Sequence, residues 1–227
     1  MKKLTQTLVA IAALSGAAAA QAATHTVTVN SNVIANAKIG NGVLDLTKFN
    51  TTLGTLQSVK VELFSSFTPT LKVENLSTSS GSTITATASE KLVLSAATGN
   101  LVVLQGSVSK SFVEASFDGS ANYAGLSGAT YAPGATLFSN SALFSDAATL
   151  SLFSGTGAVH ANLAGTASSE FNGTSGNTKS LSVTSFNGYA NVTYTYVTTP
   201  VPEPETYAML LAGLGLMGVV ARRRKSA

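Results

Sequence analysis

The stretch YANVTYTYV, residues 189–197, alternates polar and apolar side chains along most of its length. In an extended chain, Val192, Tyr194 and Tyr196 would lie on one face and the polar residues between them on the other. This period-two pattern is typical of a β-strand with one buried face. Similar alternation recurs upstream, in segments separated by short clusters of Ser, Gly, Asn and Thr. The sequence therefore predicts an all-β fold.

Several other segments share this pattern, which indicates a single β-sandwich-like domain. They are residues 24–29, 59–63, 71–74, 84–94, 101–108, 150–153, 159–163 and 181–186. We expect residues 64–69, FSSFTP, to turn the strand at 59–63 into the strand at 71–74, so that Lys60 or Glu62 faces Lys72 or Glu74.

The least regular stretch runs from Asp118 to Asp146 and contains Tyr123, Tyr131 and Pro133. We expect it to be a long excursion over the sandwich with a short helical turn.

Composition limits the classes of function that the domain can have. Residues 23–200 carry seven lysines against eight acidic residues, a formal charge of −1, and no arginine. The basic balance of the whole chain therefore belongs to its two ends and does not indicate a nucleic-acid partner. The chain has no cysteine, so the domain depends on its core rather than on disulfides and has no thiolate for catalysis.

The N-terminal segment has the organisation of a secretory signal peptide. Two lysines precede an apolar run at residues 8–20, and Ala20 and Ala22 supply the small side chains that signal peptidase reads. We expect export through the Sec machinery and cleavage after Ala22, with Ala23 as the new first residue. A first transmembrane helix is the alternative, but the run is shorter than the about 20 residues that a spanning helix needs.

The C-terminal residues divide into three parts. Residues 201–205, VPEPE, can continue neither a helix nor a sheet and so form an extended segment. Residues 207–221, YAMLLAGLGLMGVVA, would form a helix of about 24 Å, just short of the bilayer core. The basic run RRRK at 222–225 stays on the cytoplasmic side by the positive-inside rule. This order predicts a short transmembrane helix with the preceding domain outside the membrane.

This tail resembles the PEP-CTERM sorting signal of Gram-negative bacteria. The matching motif residues are Pro202, Glu203, Pro204, Arg222, Arg223 and Arg224. In that family the tail is recognised by exosortase, an integral-membrane protease-transpeptidase, and the substrates are associated with exopolysaccharide and biofilm matrix. The resemblance implies an exosortase-type partner, transient inner-membrane anchoring, and then a place on the outer surface or in the extracellular matrix. An ordinary single-pass anchor is the alternative.

A second resemblance lies in the domain itself. Residues 46–59, LTKFNTTLGTLQSV, an alternating strand and then residues 73–75, VEN, resemble the opening of the choice-of-anchor E domain. That family reads Phe-Asp-Pro where this chain has Phe49-Asn50-Thr51, so a role tied to the family's Asp is not carried over. The resemblance implies a surface-displayed module. The expected domains are residues 1–22 (signal peptide), 23–199 (ectodomain) and 200–227 (sorting signal).

The sequence contains none of the familiar catalytic motifs. The sequence has no Gly-x-Ser-x-Gly elbow, His-Glu-x-x-His, phosphate-binding loop or EF-hand loop. His25 adjoins the expected new N-terminus, and His160 is expected to face solvent on a strand. We therefore predict no catalytic residue, no metal site and no cofactor, and a non-enzymatic structural or binding role in contact with exopolysaccharide.

Two alternatives remain open for the domain. The first is a secreted polysaccharide-acting enzyme, for which Glu114, Asp118 and Asp146 are candidate carboxylates. Glu62 and Glu74 are expected on solvated strand faces instead. The second is an adhesin for a protein partner, which would present an exposed apolar patch.

The candidate ligand contacts are Tyr123, Tyr131 and Asp118, in a chain that lacks Trp. Asp118, Asn122 and Asp146 could supply oxygens to calcium, but no ligand spacing identifies a site.

Overall fold

The computed structural model describes residues 23–37, 40–198, 210–218 and 222. Within residues 23–37 and 40–198, ten strands and one α-helix follow each other, with a single 3-10 turn at Thr51–Leu53. The elements are β1 (Thr24–Asn30), β2 (Ile34–Ala37), β3 (Gly40–Thr47), β4 (Thr55–Asn75), β5 (Ser82–Ala96), β6 (Gly99–Glu114), β7 (Gly128–Tyr131), β8 (Thr136–Phe144), α1 (Ala147–Phe153), β9 (Ala158–Gly173) and β10 (Thr178–Val197). The all-β prediction is confirmed.

The strands form two sheets. In the first sheet the order is β1-β10-β4-β7, with β2 also paired to β10 and β8 also paired to β4. In the second sheet the order is β3-β9-β5-β6, and its registers are antiparallel. The two sheets pack face to face, as shown by a buried hydrogen bond that runs from Ser65 of β4 to Glu90 of β5.

Alternate residues of the long strands supply the core between the sheets. Along β10, Val192 and Tyr194 are buried and Tyr196 is partly buried, as the quoted stretch predicts, and Phe186 is buried upstream of that stretch. Tyr194 packs against Phe49 and Phe153, with ring centroids 5.7 and 6.2 Å away. This aromatic cluster joins β10, the segment before the 3-10 turn and α1.

The expected turn at residues 64–69 is wrong. Residues 55–75 form one continuous strand, β4. On one side β4 pairs with β8 up to Phe67 and with β7 from Leu71 onward, and Pro69 lies between these pairings. A proline lacks the N–H that a strand ladder needs, but in this gap it interrupts no pairing with β7 or β8.

Because β4 does not fold back, Lys60 and Glu62 do not face Lys72 and Glu74. Instead Lys60 Nζ lies 3.1 Å from Glu62 Oε2 on the same face of the strand. Both side chains of this ion pair are partly exposed, so it contributes little to the free energy of folding, about 0–1 kcal/mol.

The excursion expected between Asp118 and Asp146 is more regular than the sequence suggested. It contains β7 and β8, which both pair with β4. The helical turn follows it as α1, where Asp146 Oδ1 accepts a hydrogen bond from Thr149 N at 2.9 Å. Residues 150–153, expected as a strand, belong to this helix because Asp146 caps its first turn.

The residues divide into two units, 26–196 and a second unit of residues 1–25 with 197–227. In the second unit, residues 210–218 have helical backbone. Within the described ranges, no helix is long and apolar enough to cross a membrane. The expected signal peptide, with Ala20 and Ala22, lies outside the described residues, and so do Pro202, Glu203, Pro204, Arg223 and Arg224.

Candidate functional site

Part of the outside of the second sheet is a polar surface. Side chains alternate across a strand, so the outward positions of β9, β5 and β6 form rows across the sheet. Four consecutive rows are polar throughout: Asn172–Thr85–Ser111, Glu170–Thr87–Ser109, Ser168–Ser89–Ser107 and Thr166–Lys91–Gln105. We call these twelve residues the hydroxyl face, since eight of them are Ser or Thr.

Cross-strand hydrogen bonds order the hydroxyl face. Thr85 Oγ1 lies 2.9 Å from Ser111 Oγ, and Thr87 Oγ1 lies 2.9 Å from Ser109 Oγ. A hydroxyl can donate once and accept twice, so each pair keeps hydrogen-bonding capacity for a ligand or water. The face therefore offers many weak polar contacts in fixed positions.

The last two rows of the hydroxyl face border a cavity of about 720 Å³. This volume lies within the range of small-molecule sites, about 300–1,000 Å³. The lining residues come from β5, β6, β8 and β9: Ser89, Glu90, Lys91, Gln105, Gly106, Ser107, Phe138, Thr166, Ala167 and Ser168. Its lining is mostly polar, which suits a hydroxylated ligand.

Glu90 occupies the middle of that lining and belongs to the inner face of β5. Its side chain is 3% exposed, and Ser65 Oγ donates to its Oε2 at 2.9 Å. Its Oε1 is buried and has no hydrogen-bond partner among the described residues. Burial raises the pKa of Glu90, and the Ser65 hydrogen bond opposes that rise.

Glu90 was missed because glutamate is rarely buried, although the sequence held a signal. It stands in phase with Ala86, Ala88, Leu92 and Leu94, the inward positions of β5. The position of Glu90 in the alternating pattern, rather than its residue type, indicated that its side chain lies on the buried face of β5.

The candidate contact Asp118 lies in the segment between β6 and β7. Its Oδ1 accepts from Ser120 N at 3.0 Å, and its Oδ2 accepts from Leu126 N at 3.3 Å. The hydrogen bond from Ser120, joined by weaker bonds from Ser127 and Leu126, holds the pKa of Asp118 below its usual value. Asp118 therefore holds the backbone of this segment together.

Tyr123 and Tyr131, the other candidate contacts, are both half-buried beside lysines. Tyr123 lies in the same segment as Asp118, with Lys72 Nζ 5.9 Å and Lys179 Nζ 5.2 Å from its ring centroid. Tyr131 lies on β7, with Lys110 Nζ 5.7 Å from its ring centroid. Both tyrosines thus combine an aromatic ring with positive charge.

The prediction that Glu74 faces solvent is wrong, since its side chain is fully buried. Segment 115–127 covers it: Ser127 Oγ donates to Glu74 Oε1, and Tyr123 N donates to Glu74 Oε2, both at 2.6 Å. Gly128 leaves room for the carboxylate, because a Cβ there would lie 2.3 Å from Glu74 Oε2. Nearby Glu114 is also buried, and its pKa is raised by burial and then by the charge of Glu74.

Three residues considered for calcium instead hold local backbone turns. Asp118 and Asp146 accept backbone N–H bonds as described, and Asn122 Oδ1 accepts from Ala124 N at 2.9 Å. The bond from Thr149 N also lowers the pKa of Asp146. Across the residues that the structure describes, no group of three or more His, Asp or Glu side chains is placed to hold a metal ion.

His160 faces solvent from β9, as predicted. Its Nδ1 lies 2.6 Å from Asp45 Oδ1 on β3, and both side chains are well exposed.

Solved structures with some likeness to this chain are viral coat assemblies. The infectious bursal disease virus VP2 subviral particle is 8% identical with a TM-score of 0.24. The match covers 78% of this chain and 38% of the VP2 chain. Desmodium yellow mottle tymovirus is 6% identical with a TM-score of 0.22, covering 81% and 93%. The Macrobrachium rosenbergii nodavirus particle is 9% identical with a TM-score of 0.24, covering 83% and 89%. Our chain spans about two fifths of the VP2 chain. No curated protein matches it.

The tail gives a clear match. Residues 200–225 match the family described as the PEP-CTERM protein-sorting motif, a range that includes the predicted motif residues. Such a motif implies processing by exosortase, a membrane protein, and export to the cell envelope or surface. The chain therefore carries a PEP-CTERM sorting motif and is a secreted protein sorted by its C-terminal signal.

Proposed function

We propose that this protein is a non-enzymatic component of the cell surface or extracellular matrix of a Gram-negative bacterium, and that it binds exopolysaccharide through the hydroxyl face. The observation that carries the proposal is the set of four polar rows across β9, β5 and β6. A signal peptide cleaved after Ala22, Sec export and transient inner-membrane anchoring complete the proposed route.

The chemistry of the hydroxyl face matches a hydrated polymer. Sugar hydroxyls both donate and accept hydrogen bonds, as do the Ser and Thr side chains of the face. Each such contact is weak in water, but a polymer engages many rows at once, and the effective concentration of the second contact raises the overall affinity. The face carries one Lys and one Glu, so it suits a largely neutral ligand.

We also propose that the ectodomain is a choice-of-anchor E-like module. The resembling stretch at 46–59 spans the end of β3, the 3-10 turn and the start of β4. Asn50 stands where that family has Asp, and its Oδ1 accepts from Thr52 N at 3.0 Å to cap the turn. Asn50 thus supplies the acceptor that a turn at this position needs.

The roles of the carboxylates favour a binding protein over a polysaccharide-acting enzyme. Asp118 and Asp146 both accept hydrogen bonds from backbone N–H groups. Glycosidases use a pair of carboxylates that flank the scissile bond, whereas Asp118 uses both of its oxygens, and Asp146 its Oδ1, to hold backbone N–H groups. Glycan turnover that is lost in Glu114→Gln, Asp118→Asn or Asp146→Asn would instead establish the enzyme.

Affinity electrophoresis of the full chain, in gels containing exopolysaccharide purified from the producing cells, tests the proposed contact. The double variant Thr87→Val with Ser109→Ala removes one hydroxyl pair and keeps the strand shapes. We expect it to be retarded less than the wild type. Thr28→Val is the matched control, because it removes a hydroxyl paired with Thr193 on the other sheet at 2.8 Å. Equal retardation of all three proteins would overturn the role of the hydroxyl face.

A further inference from the structure

A second polar site lies on the other sheet, around the ring of Tyr123. Lys72 of β4 and Lys179 of β10 both approach this ring, at 5.9 and 5.2 Å from its centroid. In the described part of the chain, neither ammonium group lies within 4.0 Å of a carboxylate. Glu74 comes from the same strand as Lys72, but it is buried and directs its oxygens to Tyr123 N and Ser127 Oγ. Two positive charges therefore meet at one aromatic ring without a carboxylate partner.

The backbone holds this ring in place. Tyr123 has a φ of 59°, in the left-handed region that bulky residues rarely adopt. Glu74 accepts from Tyr123 N, and Thr130 Oγ1 donates to Tyr123 O at 3.2 Å, so both backbone groups of the residue are fixed. Strained residues of this kind persist where the surrounding structure determines them, and they concentrate at binding sites. The backbone that carries the ring is therefore held in place before any ligand arrives, which lowers the entropic cost of binding.

We propose that Tyr123, Lys72 and Lys179 form a binding site for a carboxylate-bearing sugar residue, such as a uronate of an acidic exopolysaccharide. An ammonium group pairs with a carboxylate, and the C–H face of a pyranose packs on an aromatic ring. The inference rests on the proposed polysaccharide role and adds an acidic ligand class to the neutral chemistry of the hydroxyl face.

The test compares two polymers with the same backbone, polygalacturonate and its carboxyl-reduced form. Binding of the full chain to each is measured by affinity electrophoresis at low and at physiological salt. The variants are Lys72→Gln, Lys179→Gln, their combination, and Tyr123→Asn, in which Asn tolerates the left-handed backbone. Lys48→Gln, a lysine elsewhere on the domain, controls for the loss of one charge.

We expect the double lysine variant to bind polygalacturonate about three- to tenfold more weakly, because exposed ion pairs each contribute a modest share. Tyr123→Asn should weaken binding as well, Lys48→Gln should not, and added salt should reduce the difference. Neither lysine variant nor their combination should change binding to the reduced polymer, whereas Tyr123→Asn should still weaken it because that polymer keeps the pyranose face.

Wild-type affinity in the double variant, or equal wild-type affinity for the two polymers, would overturn the site. If either outcome occurs and the protein still binds native exopolysaccharide, the proposed function stands without the Tyr123 site. If lysine-dependent binding of polygalacturonate appears but native exopolysaccharide is not bound, the site stands and the proposed function fails.

Discussion

Ser65 on the first sheet donates a hydrogen bond across the core to Glu90 on the second, over a distance of 2.9 Å. The other oxygen of Glu90 is buried without a partner among the described residues. A carboxylate in that position is costly, because burial disfavours its charged form. The hydrogen bond links the two sheets, but ionisation of Glu90 at this buried position lowers the stability of the fold.

The stability of the domain should therefore depend on the protonation of Glu90. Its pKa in the folded state is raised from 4.5 by burial. The folded state therefore binds the Glu90 proton more tightly than the unfolded state does. The stabilisation that this proton gives the fold is fully present below about pH 4.5 and is lost as pH rises through the folded pKa. Urea titrations of the wild type and Glu90→Gln at pH 4 and pH 8 should show the variant gaining relative stability at pH 8. An unchanged difference between the two pH values would contradict this.

Asn75 should be among the least replaceable residues of the domain. It is fully buried, and its Nδ2 donates at 2.8 Å to both Ser80 O and Ala115 O, while its Oδ1 accepts from Ser77 N and Ser175 Oγ. Asn75→Ala leaves buried polar groups unpaired and should cost about 2–4 kcal/mol in the free energy of unfolding. Chemical denaturation measures it.

The matched control is Asn172→Ala on the exposed hydroxyl face, whose Nδ2 contacts only Glu170 in the described structure. It should change stability by less than about 0.5 kcal/mol. Similar losses in the two variants would show that the Asn75 network contributes no special stability.

Gly106 lets β8 approach β6 closely. A Cβ at this position would lie 2.3 Å from the Phe138 ring. Gly106→Ala should therefore destabilise the fold by about 1–3 kcal/mol, and Phe138→Leu in the same chain should recover part of that loss. Gly176→Ala, which meets no atom within 4 Å, is the control. Thermal unfolding of the wild type, the two single variants Gly106→Ala and Phe138→Leu, and the double variant completes the double-mutant cycle. Strictly additive losses of stability in the double variant would refute the contact.

The sorting motif predicts a defined fate for a tail variant. Replacing Pro202, Glu203 and Pro204 with Ala should remove the segment that exosortase processes and retain the unprocessed chain in the inner membrane. Mass spectrometry of the membrane and medium fractions measures the termini. Glu205→Ala alone should be processed normally, and release of the triple variant with wild-type termini would argue against this role of the motif.

The alternation that identified β10 also predicted most of the other long strands, because one buried face leaves a period of two in the sequence. It failed at β4, where Phe64, Pro69 and the serines between them hide a strand whose neighbour changes from β8 to β7. It also failed at β8, where Leu137 and Leu143 are exposed apolar residues on the outward phase. Strand ends and pairings of this kind depend on distant segments.

The candidate site was only partly accessible from the sequence. The positions of Asp118, Tyr123 and Tyr131 drew attention to the right segment, but Lys72 and Lys179, the neighbours of Tyr123, lie 51 and 56 residues away from it in sequence. The hydroxyl face depends on the register of three strands, which no local pattern fixes. Glu74 was misplaced because the segment that covers it begins 41 residues later.

The length of β10 has a mechanical consequence for a domain held by its tail. The sorting motif starts three residues after β10 ends at Val197, so tension from an attached tail reaches the domain first at the C-terminal end of this strand. β10 is hydrogen-bonded to its neighbour β4, and a pull along β10 would load these ladder bonds together rather than in succession. While the tail still anchors the chain, a pull in the direction of β10 would thus tear this strand out only by shearing many hydrogen bonds at once.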